Sequence, residues 1–117
     1  MTHQHHIIDY IELAVVDMAE AKRFYATAFD WEFNEYGSEY TGIQRPGGGE
    51  VGGLRKESSV QRGGPLILLY SAHIEASVEA VKDAGGKIVK ELFSFPGGRR
   101  FHFTDPAGNE LAVYSDK

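Results

Sequence analysis

Glu12 and His102 are the two residues best suited to move a proton. Glu12 lies in the run IIDYIELAVV at 7–16. There the period of two puts Tyr10, Glu12 and Ala14 on one face and Ile11, Leu13 and Val15 on the other. A carboxylate beside a phenol on such a face has two readings. It is a solvated strand-end group, or it is partly desolvated and serves as a general base or ligand anchor. His102 stands between Phe101 and Phe103, three residues before Asp105. It reads as a surface histidine or as a group that donates, accepts or shuttles a proton near neutral pH. Arg100 shares its face and either holds an anionic group or is an exposed strand residue, and Arg99 points the other way. Leu66, Leu68 and Tyr70 share a second face, and Glu110, Ala112 and Tyr114 a third. With Tyr10 they form either core packing or the mixed lining of a pocket for a small, partly apolar molecule.

The elements that must position these residues repeat. A strand over 7–16 is followed by a helix from Met18 to Phe29, with Asp17 as N-cap and Ala21, Phe24, Tyr25 and Ala28 as its buried stripe. Extended stretches start at Trp31, Tyr40 and Glu50, with the turn Pro46-Gly47-Gly48-Gly49 before the last. The polar run ESSVQRGG at 57–64 reads as a linker. The pattern then restarts: a strand over 66–70, a helix from Ile74 to Ala84 stopped by Gly85-Gly86, and strands over 87–92, 99–104 and 109–114. Sliding the chain by 56 positions superposes the element order, as an internal duplication would. The domain is therefore read as one unit with module 1 at about 7–56, a linker at about 57–64 and module 2 at about 65–115. Each half is too small to bury a sheet face alone, so the two must share a core.

Composition narrows the function classes. The chain has 117 residues, 42% hydrophobic and 25% charged, which is ordinary for a folded domain. It contains no cysteine, which excludes a disulfide framework, a thiolate metal site and a cysteine nucleophile. A net charge of −5 provides no basic footprint for nucleic acid. No apolar run reaches the ~20 residues needed to span a bilayer, so no membrane role is expected. Met1 to His6 lacks the basic-then-apolar order of a signal peptide, so a cytoplasmic protein is expected. His3, His5 and His6 read as a frayed terminus. Gly47-Gly48-Gly49 is a hairpin turn, because no Gly-Lys-Ser/Thr follows it. Asp105-Pro106-Ala107-Gly108 holds turn chemistry.

The run ELAVVDMAEAKRFYATAFDWEF, with Asp17, Phe24 and Tyr25, and the closing FTDPAGNELAVY resemble the vicinal oxygen chelate superfamily. That group includes glyoxalase I, bleomycin-resistance proteins, fosfomycin-resistance enzymes and extradiol dioxygenases. The resemblance spans about Ile8 to Tyr114. It implies an α+β fold in which two βαβββ modules form an open U-shaped sheet around a cavity, usually as a homodimer. In the family's metal enzymes one divalent ion is held by His, Glu or Gln from the first and last strands of each half.

Carried onto this chain, those positions are Tyr10, Leu66, Ala112 and a residue in the strand after Gly49. Val51, Gly52, Gly53 and Leu54 offer no donor there, and only Glu50 has a carboxylate. Leucine and alanine cannot ligate, and a neutral phenol is a poor ligand for zinc, nickel or manganese. No metal residues and no cofactor are therefore expected, although a displaced divalent-metal site built from Glu12, His102 and Glu50 or Glu110 stays open. The expected partner is a small-molecule ligand. The function expected is cavity binding without the usual metal site. The alternative is a glyoxalase-related lyase or isomerase, either metal-independent through Glu12 and His102 or with a displaced metal.

Overall fold

The computed structural model describes residues 3–117. Its elements run β1 (Ile11–Val15), α1 (Met18–Phe29), β2 (Phe33–Glu35), β3 (Tyr40–Gln44), β4 (Glu50–Lys56), β5 (Ile67–Tyr70), α2 (Ile74–Asp83), β6 (Lys87–Phe95), β7 (Gly98–Thr104) and β8 (Glu110–Ser115). Two four-stranded sheets result, in the orders β1-β4-β3-β2 and β5-β8-β7-β6. In each, the first strand pairs parallel with the last and the remaining pairs are antiparallel. This is α+β architecture built from two open βαβββ modules.

The helices form where the sequence signals place them. The Asp17 side chain accepts the Glu20 amide at 3.0 Å and caps α1, and Met18, Ala21, Phe24 and Tyr25 form its buried side. Asp30 ends the helix in the left-handed conformation, with φ 60. In α2, Ile74 and Val81 are buried. The helices touch each other, α1 lies against β4, and α2 lies against β6, β7 and β8. One core joins both modules: Leu13, Val15, Ile43 and Leu54 from the first sheet meet Phe101, Phe103, Leu111 and Val113 from the second around Phe24 and Tyr25. Each such side chain, once buried, contributes roughly 1.5–3 kcal/mol relative to exposure.

The turn at 105–108 locks the halves together. Asp105 is buried and accepts the amides of Ala107 and Asn109, the Asn109 side chain, and the buried Tyr25 hydroxyl of α1 at 2.7 Å. Asn109 also donates to the Ala14 carbonyl at 2.7 Å. Gly108, with φ +101, lets the chain reverse there.

Several expected boundaries move. The first strand begins at Ile11 rather than residue 7, and Ile7 and Ile8 are exposed. A strand extends only as far as its partner, and the parallel register on β4 begins with Ile11 opposite Gly52. Tyr10 therefore lies just outside β1. The strand expected to stop at Leu92 continues to Phe95 because β7 pairs with it as far as Gly98. Register also refines the duplication. Glu12 matches Leu68, but Gly53, opposite Glu12, matches Ala112, opposite Leu68, so the offset grows from 56 to 59 residues.

Candidate functional site

Each sheet turns one face to the core and leaves the other open. On the first sheet, alternation brings Tyr10, Glu12, Asn34, Tyr40, Gln44 and Glu50 to the open face. Two glycines make that face a cradle. A Cβ on Gly53 would collide with the Tyr40 hydroxyl, and one on Gly42 with the Glu50 carboxylate. Tyr40 accordingly lies across Gly53 and donates to Glu12 at 2.9 Å. Its oxygen is 2.7 Å from the Tyr10 hydroxyl, which in turn reaches Glu50 at 3.1 Å. Tyr36 and Asn34 both donate to the second oxygen of Glu50, and Gln44 steadies Asn34 at 2.9 Å. The donors from Tyr36 and then Asn34 hold the Glu50 carboxyl below its ordinary range. Desolvation by burial, followed by contact with the neighbouring phenol, pushes Tyr40 up, and desolvation also raises Tyr10. Arg55 approaches Glu12 at 3.7 Å.

The second sheet has a different open face. His102 is 4% exposed, so the surface reading of this histidine is overturned. The cause is topology: β7 is an inner strand, and the imidazole is enclosed between the Phe93 ring, with centroids 6.0 Å apart, and Glu110. Its Nδ1 is 2.9 Å from Glu110, whose other oxygen meets Arg62 of the linker at 2.9 Å, while the buried Nε2 has no partner among the described residues. The hydrogen bond from His102, and then Arg62, holds the Glu110 carboxyl below its ordinary range. Arg100 shares this face, as alternation requires, with its guanidinium over Phe93 and Phe95 and its buried Nε without a partner among the described residues. Arg99 points to the helix side and pairs with Glu75 of α2.

A cavity of about 870 Å³ opens between β1, β5 and the linker. It gathers Glu12, Leu66, Leu68 and Glu110 of the sequence-derived residues, with Ile11, Arg55 and Arg62. The remaining lining candidates lie elsewhere. Tyr10 faces a second cavity, of about 480 Å³, with Glu50, Tyr36 and His3. Tyr70 and Tyr114 stack edge to face at 5.4 Å, and Tyr70 binds Asp116, so the pair fastens the C-terminal end of the second sheet. Ala112 is buried beside His102, its cross-strand partner. His3 bonds Asp9 at 2.6 Å, so the expected frayed tract is held at that residue. Tyr36, Tyr40, Asn34 and Arg62 join these sites from outside the set of residues expected from the sequence. The alternation Tyr40, Gly42, Gln44 was a usable signal for the first sheet, but nothing in the linker marked Arg62.

The positions that carry ligands in the family's metal enzymes fall apart here. Leu66 and Ala112 carry no donor, and Gly53, across from Glu12, has its side-chain space filled by the Tyr40 phenol. Among the described residues no three His, Cys, Asp or Glu side chains group as a metal site would need. Glu12 joins Tyr40, and His102 joins Glu110, without the third member a displaced site requires. The residues present do not fit the family's metal.

Two βαβββ modules with open sheet faces and a cavity between their first strands define the class: a paired-module α+β scaffold. The chain belongs to the Glyoxalase/Bleomycin resistance protein/Dioxygenase superfamily, which matches residues 7–113. Solved structures share this fold at low identity. A glyoxalase-related enzyme from Fulvimarina pelagi superposes with TM-score 0.78 at 19% identity, covering 94% of this chain and 88% of that one. An antibiotic-binding protein from Streptomyces sp. CB03234 gives 0.69 at 20%, covering 98% of each chain. A fosfomycin resistance protein from Listeria monocytogenes, complexed with Mn(II), gives 0.79 at 18%, covering 95% and 90%. No curated protein matches the sequence.

Proposed function

We propose that this chain binds a small, partly apolar organic molecule in the cavity between its two sheets, without a resident divalent metal. The observation that carries this reading is the cavity, with Ile11, Leu66 and Leu68 as apolar wall and Glu12, Arg55, Arg62 and Glu110 as polar groups. The similarity to a protein named for antibiotic binding supports it. Native mass spectrometry of the purified protein, followed by calorimetry with the ligand found, tests it. Leu68→Arg should weaken that binding by ten-fold or more, since a charge would enter an apolar wall. Unchanged affinity would move the ligand elsewhere. A cytoplasmic homodimer is part of the proposal, checked by light scattering and cell fractionation.

A second reading is favoured by His102. Glu110 orients Nδ1–H and leaves the buried Nε2 as an unpaired acceptor. A histidine so held is polarised for general base work, although His102 itself lines neither cavity and reaches the larger one only through Glu110. With Glu12 as the second proton-transfer group, the protein would be a metal-independent, glyoxalase-related lyase or isomerase. His102→Gln and Glu12→Gln should then each lower kcat at least a hundred-fold while leaving ligand affinity nearly intact. Equal turnover in the variants removes the enzyme reading and leaves the binding one.

A further inference from the structure

The open face of the first sheet holds a hydrogen-bonded chain that is one proton short. Three oxygen–oxygen contacts run in series: Glu12 to Tyr40 at 2.9 Å, Tyr40 to Tyr10 at 2.7 Å, and Tyr10 to Glu50 at 3.1 Å. With both carboxylates ionised, the two phenols supply only two hydrogens. Whichever way the hydroxyls turn, one contact is left as oxygen lone pair against oxygen lone pair. A single added proton fills all three. Placed on Glu12 it gives the direction Glu12 to Tyr40 to Tyr10 to Glu50, and placed on Glu50 it gives the reverse.

We propose that Glu12 and Glu50 share one proton through Tyr40 and Tyr10, so that the chain is a relay joining the two cavities. Glu12 opens on the larger cavity, together with Arg55, Glu57, Arg62 and Glu110. Glu50 opens on the smaller one, where His3, Asp9, Tyr36 and Arg45 line the wall and Asn34 completes the carboxylate's donors. Transfer breaks the O–H bond of protonated Glu12 and forms one on Tyr40. The Tyr40 proton passes to Tyr10, and the Tyr10 proton passes to Glu50. Nothing is oxidised, and the net change is one proton moved from one carboxyl to the other. Gly42 and Gly53 are what allow it, since a side chain at either position would displace Glu50 or Tyr40. The relay deepens the proton-transfer reading of Glu12, because it gives that residue a second outlet away from the ligand.

The test is a carbon-13 NMR titration of the glutamate carboxyls in the full chain, without ligand. Glu12 and Glu50 are expected to titrate as a coupled pair, each curve carrying the other's inflection, with steps separated by about one pH unit or more. Tyr10→Phe and Tyr40→Phe should each collapse this to two independent single steps. Tyr36→Phe, which touches Glu50 outside the chain, should leave the two curves coupled. Circular dichroism confirms folding, and Tyr10 is exposed enough for Tyr10→Phe to be tolerated should Tyr40→Phe unfold. Independent curves in the unaltered protein, or coupling that survives both substitutions, would overturn the relay. Coupled curves in a protein without turnover would sink the enzyme reading alone.

Discussion

The two sheets have the same strand order and the same pattern of parallel and antiparallel pairs, yet their open faces do opposite things with polar groups. On the first, Glu12 faces Gly53, and the missing side chain is replaced by Tyr40 and a network reaching Glu50. On the second, Leu68 faces Ala112, and the room beside the alanine goes to a nearly buried His102 whose Nε2 has no partner among the described residues. Duplication thus fixed where side chains point and left their chemistry free. Glycines at 42 and 53 make room for linked phenols and carboxylates, while Ala112 beside an inner strand leaves room for a buried, half-satisfied imidazole.

The link between the halves should show the largest effect. Asp105→Ala would strand the buried Tyr25 hydroxyl and the Asn109 amide, at a cost of about 3–5 kcal/mol by urea denaturation. Both sheets should unfold in one transition, because the acceptor ties α1 to the second module. Separate transitions would show the halves to be less coupled than their common core implies.

Gly53→Ala should come next, at about 1–3 kcal/mol, because its Cβ forces Tyr40 off Glu12. The mirror change, Ala112→Gly, should cost only about 0.5–1 kcal/mol, the added backbone freedom of glycine in a strand. Thermal melts of both variants test the asymmetry, and equal losses would mean that the glycine cradle is not specific to the first sheet.

Acid dependence separates the faces further. The folded Glu110 carboxyl is depressed, first by His102 and then by Arg62. Its stabilisation is therefore present above the unfolded glutamate value of about 4.3 and is lost as pH falls through the lower folded value. His102→Gln should flatten that part of the stability–pH curve, and an unchanged slope would show that His102 does not hold the proton equilibrium of Glu110. Tyr36→Phe should have the smallest effect, a slight rise in the Glu50 titration midpoint by NMR, since Tyr36 is its first donor. No rise would leave Asn34 as the donor that matters.

Much of this was legible in the chain. The cap at Asp17, the stripe through Phe24 and Tyr25, the turn at Asp105 and the shared face of Arg100 and His102 all follow from local spacing. The site was less so. Tyr10 and Glu12 do share a face, but Tyr10 and Leu66, matched by the repeat, line different cavities. The burial of His102 depends on β6 and β8 flanking it, which no local pattern encodes.

By itself, then, the order of residues determined the elements, their faces and the loss of ligating side chains at Leu66 and Ala112, because those are matters of period and donor chemistry. Only the tertiary structure decided which polar groups meet. Tyr40 and Glu12 lie 28 positions apart, and Tyr25 and Asp105 lie 80 apart. Such partners are brought to hydrogen-bonding distance by sheet register and by packing around one core, both of which are collective properties of the folded chain.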